Sequence, residues 1–374
     1  MSVRLRAGCR QTDVTVIGGG LVGLTIALGL IRNGLKVTIL DEGDVALRAS
    51  RGNFGLVWVQ GKGDTCPEYA QLSRLSARLW GEFSQQLQSS TGIDIQLDQR
   101  GGLFICLEDA ELEQRQRMLC SMREQAAGNY PFEVLDHAQL RALVPEIGPR
   151  VAGATLSLED GHLNPLLLLR ALVEDFVAQG GQLISNASIG EISMQGDEFS
   201  VLAGHESWYS EKLVLAAGLG NQTLASQVGL SAPLKPNRGQ VLITERVQPF
   251  LHYPTGHVRQ TGDGTLQLGD SKEDVGFDSG TTTEVMAKIA QRATRMFPLL
   301  EQVRMVRAWG ALRVMTPDGY PIYEESSACP GAFLVTCHSG VTLGAAHAGP
   351  IADWIAGKPQ AFSLEVFRAA RFDV

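Results

Sequence analysis

The chain has 374 residues, enough for about two domains with sizeable cores. Its formal net charge of −8 argues against a nucleic-acid partner, since phosphates are bound by clustered Lys and Arg. No apolar run is long enough to span a bilayer, and the N-terminal MSVRLRAGCRQTD lacks the apolar stretch of a secretory signal, so a cytoplasmic location is expected. Cys9, Cys66, Cys106, Cys120, Cys329 and Cys337 form no CxxC pair; no structural zinc or iron–sulfur cluster is expected on this chain, and the thiols are read as reduced.

The first informative stretch is DVTVIGGGLVGLTIALGLIRNGLKVTILD, from Asp13 to Asp41. Val14, Val16 and Ile17 predict a short strand. Gly18, Gly20 and Gly23 follow at GxGxxG spacing. Ala27, Leu30 and Ile31 continue as the buried side of a helix that Gly34 ends, and Val37, Ile39 and Leu40 predict a second strand closed by Asp41 and Glu42. Gly18 permits the tight turn, Gly20 lets the backbone approach a pyrophosphate, and Gly23 lets the helix pack close to the sheet. The helix N-terminus presents free N–H groups to phosphate. Asp41 stands where a carboxylate accepts hydrogen bonds from a ribose diol. Strand, glycine turn, helix, strand and acid in register predict dinucleotide binding; the motif does not separate FAD from NAD, and an acid at the strand end argues against NADP.

The next loop carries Arg48, Ser50 and Arg51 with permissive Gly52, Asn53 and Gly55; composition alone reads it as solvated. A helix is predicted over Tyr69–Leu87, a strand over Gly101–Leu107, a polar helix over Glu108–Ala127 and a strand over Ala154–Leu158. Asn164 and Pro165 form a helix start, and that helix ends near Gly180 before a strand at Gln182–Ile184, resembling a second βαβ half. Leu213–Ala217 is a buried-type strand. Gln240–Thr244, His257–Thr261 and Thr265–Gly269 alternate like antiparallel strands, Thr283–Met296 is a helix, and AWGALRVMTPDGYPIY reads as turn-rich. Phe333–Cys337 is a final strand leading through His338, Ser339 and Gly340 into a helix in which Pro350 predicts a kink.

With these residues in place the chain resembles, over nearly its whole length, the D-amino-acid oxidase-like (DAO) family of FAD-dependent oxidoreductases. The N-terminal fingerprint, DGHLNP (160–165), LVLAAG (213–218), RGQVLITE (238–245), WGALRVMTPDGYPI (309–322) and HSGVTLGAAHAG (338–349) carry the resemblance. SRGNFGLVWVQGKG (50–63), GDSKEDVGFD (269–278) and CHSGVTL (337–343) look most like the branch of opine oxidase β subunits and D-hydroxyproline or proline dehydrogenases. The resemblance implies an α/β plus α+β fold of glutathione reductase 2/DAO type. A Rossmann-like FAD-binding domain (12–90, 150–232 and 308–374) would interleave with an antiparallel-sheet substrate domain (91–149 and 233–307).

The same resemblance implies non-covalently bound FAD. Gly18, Gly20, Leu21, Val22 and Gly23 would meet the pyrophosphate, and Asp41, with Glu42 beside it, the adenosine ribose. Ser50, Arg51, Asn53, Phe54 and Gly55 would line the phosphate and flavin ring. Ile189, Ala217 and Gly218 would flank the adenine and ribose, and Gly340, Val341, Thr342 and Leu343 the pyrimidine edge. Arg313, at the arginine of the family's GLRP motif, would grip the substrate carboxylate. His338 is a candidate for flavin contact or for tuning substrate protonation, a structural loop histidine being the plain alternative. Tyr253 and His257 are candidates for the substrate wall, and Lys62 is equally readable as a solvated charge. The implied activity is oxidation of the C–N bond of a secondary amino acid by hydride transfer to the flavin N5. Electrons would pass to a flavin-containing α subunit and a small iron–sulfur subunit. A stand-alone glycine- or sarcosine-type oxidase and a non-catalytic scaffold are the alternatives. Oxygen-using relatives place a lysine on the strand Thr265–Gly269 where this chain has Gln267, which favours the dehydrogenase reading.

Overall fold

The computed structural model describes residues 10–43 and 49–373, so Cys9 and Arg48 lie outside the described residues. The strand Arg10–Ile17 is the middle of an eight-stranded sheet. It pairs in parallel with Val37–Leu40 on one side and with Glu206–Leu215 on the other. Gln182–Ile184 extends the sheet beyond Val37–Leu40, and Ala332–Thr336 extends it beyond Glu206–Leu215, both in parallel. These central strands are apolar on both faces because helices or strands cover both, as parallel sheets require. Ile322–Glu325 closes one edge antiparallel to Ala332–Thr336.

The helix Leu21–Arg32 is buried nearly all round. One side packs on the sheet and the other meets the helix Pro165–Ala178 and the C-terminal helical turns. At Gly29 a Cβ would lie 2.4 Å from the Ala348 carbonyl oxygen, so only glycine permits this crossing. The helix Pro165–Ala178 starts as predicted, with the Asn164 side chain accepting from the Leu166 and Leu167 N–H groups. The final helix is kinked at Pro350, where Gly349 has φ −109° and ψ −107°.

A second sheet has the order Val258–Gln260, Leu266–Leu268, Lys235–Thr244, Met305–Met315, all antiparallel. A three-stranded sheet, Gly102–Cys106, Gly153–Ser157 and Glu133–Asp136, adjoins it, and the Leu103 N–H donates to the Pro254 carbonyl at 2.9 Å. The two sheets share a core in which Leu103, Ile105, Val258, Leu266 and Phe297 are buried. The strands Gly153–Ser157 and Met305–Met315 thus hydrogen-bond on the side of these sheets, next to the expected boundaries at 150 and 308.

One expectation is corrected and one pair of strands is added. The passage AWGALRVMTPDGYPIY is not turn-rich throughout: Met305–Met315 is an 11-residue strand paired with Lys235–Thr244 along its length. Its glycine and small residues suggested turns, but a long partner strand overrides so weak a local preference. Glu198–Ala203 pairs antiparallel onto Glu206–Leu215, and Ile189–Gln195 pairs antiparallel onto Glu198–Ala203; the sequence reading placed no strands there. Among the described residues no helix is long and apolar enough to cross a membrane.

Candidate active site

The C-terminal ends of the central strands open onto one cavity of about 1670 Å³ that runs under the second sheet. Its inner end is the glycine turn. Gly18 has φ +107°, a left-handed conformation that L side chains rarely adopt, and a Cβ there would lie 2.5 Å from the Ala216 carbonyl oxygen. At Gly23 a Cβ would come within 1.9 Å of the Gly18 carbonyl oxygen, so this glycine sets the closeness of helix and strand. The helix N-cap Gly20 has no side chain to cap the helix, and the Ser50 hydroxyl takes that place by accepting from the Leu21 N–H at 3.0 Å. Asp41, buried at the end of Val37–Leu40, accepts from the Gly19 N–H at 2.6 Å and the Gly43 N–H at 2.9 Å. The acid therefore braces the turn as well as facing the cavity. A narrow glycine-lined cradle at a helix N-terminus, with a carboxylate beyond it, fits the pyrophosphate and ribose of a dinucleotide.

Most of the expected cofactor residues share the cavity wall: Gly18, Gly20, Leu21, Val22, Asp41, Glu42, Ser50, Arg51, Asn53, Phe54, Ile189, Ala217, Gly218, Gly340, Val341 and Thr342. Gly23, Gly55 and Leu343 stand behind it. Gly55, with φ +84°, turns the chain against the Leu163 carbonyl, and Asn53 Oδ1 accepts from its N–H at 2.7 Å. Leu343 is fully buried core.

Beyond the cradle the wall is formed by Trp58, Lys62, Phe104, His257, Asp270, Lys272, Arg313 and His338. Arg313 reaches in from Met305–Met315. Its guanidinium donates to Asp270 Oδ2 at 2.8 Å, to the Ser271 carbonyl at 2.8 Å and to Asn237 Oδ1 at 3.1 Å. It lies over Gly239, where a Cβ would be 2.4 Å from its Nη2. Tyr253 is corrected: it packs beside the second core and is not on the cavity wall. His257 is on the wall, edge-on to Phe104, and burial holds its pKa near 3.

The loop after Ala332–Thr336 is fastened from behind. The fully buried Trp80 donates its indole N–H toward the Val341 and Thr342 carbonyls at 3.1 and 3.2 Å, and the Ser76 hydroxyl accepts from the Ala346 N–H at 3.0 Å. Ser339 is a hub: its hydroxyl meets Lys62 Nζ at 2.6 Å, the Tyr69 hydroxyl at 2.8 Å and His338 Nε2 at 3.1 Å. Burial holds the His338 imidazole well below its ordinary pKa, with Lys62 and Arg313 pushing the same way, so the ring is neutral. The helix expected after His338 runs through Gly344–Ala346, His347–Ile351 and Ala352–Ile355 without a gap and carries its kink at Gly349 and Pro350.

Sequence reasoning missed Ser339, Asp270, Trp58 and Trp80. The first two are polar residues in loops already singled out, and Trp58 and Trp80 were assigned no role. Gln267 is also placed differently from its expected position beside the cofactor. It is off the cavity wall, and its Oε1 accepts from Arg259 Nε at 3.0 Å and Nη2 at 2.6 Å.

A family model described as DAO, FAD dependent oxidoreductase, matches residues 13–354. The chain is 43% identical over 370 residues to a subunit of opine oxidase from Agrobacterium tumefaciens (strain Ach5), covering 97% of this chain and 98% of that protein. Its fold is similar to that of glycine oxidase from Geobacillus kaustophilus, with a TM-score of 0.90 at 23% identity over 97% of this chain and 99% of that one. It is also similar to L-proline dehydrogenase from P. horikoshii, with a TM-score of 0.84 at 20% identity over 97% and 98% of the two chains. With the dinucleotide cradle and a match over most of its length, the chain belongs to the DAO family of FAD-dependent oxidoreductases.

Proposed function

We propose that this chain is the FAD-bearing subunit of a dehydrogenase that oxidises the C–N bond of a secondary amino acid, of the hydroxyproline, proline or opine kind, and passes the electrons to partner subunits. The observation that supports this most is the continuity of one cavity from the glycine cradle to a wall carrying Arg313, His338 and His257. FAD, when bound, supplies the hydride acceptor. The pyrophosphate is assigned to Gly18–Gly23, the ribose to Asp41, and the flavin ring to the space between Ser50–Phe54 and Gly340–Thr342.

The chain's own part is orientation and exclusion of water. Arg313 retains N–H groups beyond those given to Asn237, Ser271 and Asp270, and these hold a substrate carboxylate. A charge-assisted bond of that kind is worth about 1.5–3 kcal/mol. Trp58 and Phe104 give the cavity apolar walls. His338 and His257, both neutral, line it without adding charge near the amine. Burial pushes the Cys337 thiol up to about 12, which disfavours a thiolate there and supports the non-covalent binding of FAD in this reading.

The high identity to a protein named as one subunit of an oxidase supports a multi-subunit enzyme. The partners proposed are a flavin-containing α subunit and a small iron–sulfur subunit. The deciding experiment is anaerobic mixing of the FAD-loaded protein with a panel of secondary amino acids, reading flavin bleaching, followed by separate additions of a dye and of oxygen. Bleaching with fast dye and slow oxygen reoxidation is expected. Fast reoxidation by oxygen would make the chain an oxidase, and no bleaching with any amine would leave only the scaffold reading.

A further inference from the structure

Of the cations on the wall beyond the cradle, Arg313 and Lys62 are half-buried, and they are not equivalent. Arg313 brings its own counter-charge, Asp270, at 2.8 Å. Lys62, on the loop before the helix Pro67–Thr91, does not: among the described residues no carboxylate lies within ion-pair distance of it. The carboxyl that acts on it is that of Asp160, which is tied to the Val59 N–H and the Gln60 side chain and is pushed up to about 7 by burial. That acid is a weak counter-ion. Lys62 spends one donor on Ser339 Oγ, and an ammonium has three. Tyr69 and His338 hold the same hydroxyl, so the amine is fixed in place rather than swinging on its stem.

We propose that Lys62 is an anchor for a second carboxylate, so that the cavity selects secondary amines carrying a carboxylate at each end, one held by Arg313 and the other by Lys62. This rests on the amine-oxidation reading above. A partly buried ammonium without a carboxylate partner is costly, and a ligand carboxylate offsets that cost. Lys62, His338 and Arg313 line the same cavity wall, and Lys62 and His338 meet on the Ser339 hydroxyl, at 2.6 and 3.1 Å. The exposed Lys272 adds positive potential at the rim, and it bears on both Lys62 and His338. The arrangement is that of a site open to two anionic groups with an uncharged middle. Burial also lowers the Lys62 pKa to about 8, and a bound carboxylate would raise it again and keep the amine charged.

The test uses the full-length FAD-loaded protein and two ligands that have an ether oxygen where the substrate has nitrogen and so are not amines. Diglycolate has two carboxylates. Diglycolamic acid has one of them replaced by an amide of similar size. Binding is read by calorimetry and by perturbation of the flavin absorbance, without turnover. Diglycolate should bind about 10- to 100-fold tighter than diglycolamic acid. Lys62→Met should erase most of that preference while leaving diglycolamic acid within about threefold, and Lys62→Arg, which keeps the charge, should retain much of it. FAD content and melting temperature check that the variants are folded, and the preference in the unaltered protein stands independently of any variant. The proposal is overturned by equal binding of the two ligands. It is also overturned if Lys62→Met weakens both equally, which would make Lys62 the holder of a single carboxylate. A Lys62→Met variant that binds both normally and shifts only the pH profile of amine oxidation would make it a proton acceptor instead. A diglycolate preference in a protein that no amine reduces would fail the functional reading and leave the two-anion site standing.

Discussion

Asp270 and Arg313 are joined by an ion pair at 2.8 Å on the wall of the cofactor cavity, where both side chains are partly exposed. The guanidinium proposed to hold substrate is therefore positioned before any ligand arrives. Asn237 and the Ser271 carbonyl fix its other arm. Arg313→Ala should raise the half-saturating substrate concentration about 10- to 100-fold, the worth of one charge-assisted contact, with FAD content unchanged. Arg313→Lys should restore only part, since lysine offers charge without the fork. Asp270→Asn should cost far less, because two of the three anchors remain. Steady-state kinetics with a dye acceptor measure all three. Unchanged kinetics in the alanine variant would move the carboxylate site elsewhere.

Asp41 does two jobs, and its replacement separates them. Its oxygens accept from the Gly19 and Gly43 N–H groups, and the same carboxylate is assigned to the cofactor ribose. Asp41→Ala should weaken FAD binding by about 1.5–3 kcal/mol for the ribose bond and also lower the melting temperature of the FAD-free protein. Asp41→Asn keeps an acceptor oxygen and should be milder in both. FAD titration followed by protein fluorescence gives the first number and thermal unfolding the second. An alanine variant with normal FAD affinity would remove Asp41 from the ribose site.

Gln267 leads to an outcome opposite to the one its place in the sequence suggests. A lysine there, beside the cofactor, would be expected to speed reaction with oxygen. In the structure Gln267 is bonded to the buried Arg259, which also donates to the Leu163 carbonyl at 3.0 Å. Gln267→Lys would set a second cation against a desolvated guanidinium. The expected result is a clear fall in melting temperature, from a lost acceptor and a buried like-charge contact, with no gain in oxygen reactivity. Thermal unfolding and flavin reoxidation rates test this together. A stable variant that reoxidises faster in oxygen would show that the strand lies closer to the flavin than described.

Acid should destabilise the fold early. Burial lowers the pKa of His162 to about 4 and of His257 and His347 to about 3, and holds His338 well below the ordinary 6.5. As pH falls below 6.5 the unfolded chain takes up these protons and the folded chain does not, so stability drops with pH. Asp160 acts in the other direction. Its carboxyl is raised from 3.8 to about 7, so its contribution is full below pH 3.8 and is lost as pH rises through 7. One carboxyl against four imidazoles leaves the net slope with the histidines. Melting temperature, measured with FAD in constant excess, should fall steadily from about pH 6.5 to about pH 5. A flat profile across that window would mean that these imidazoles open to water or gain partners in solution.

The nucleotide half of the molecule was legible residue by residue because its constraints are local. Gly18, Gly20 and Gly23 answer to steric limits set within one βαβ unit, and Asn164 and Pro165 to the orphan N–H groups of their own helix. The helix Thr283–Met296 was readable from its apolar period alone. What only the tertiary structure decided is which distant residues share the cavity. Lys62, Tyr69 and Ser339 meet across some 270 positions of chain, and no spacing rule brings them together. Met305–Met315 became a strand because Lys235–Thr244 lies beside it, and Gln267 turned away from the cavity because strand register sets the face of every side chain. The sequence by itself determined the dinucleotide cradle, whose contacts are short-range. The charge pattern at the substrate end, where Arg313 is paired with Asp270 and Lys62 has no carboxylate within ion-pair distance among the described residues, is a product of long-range packing.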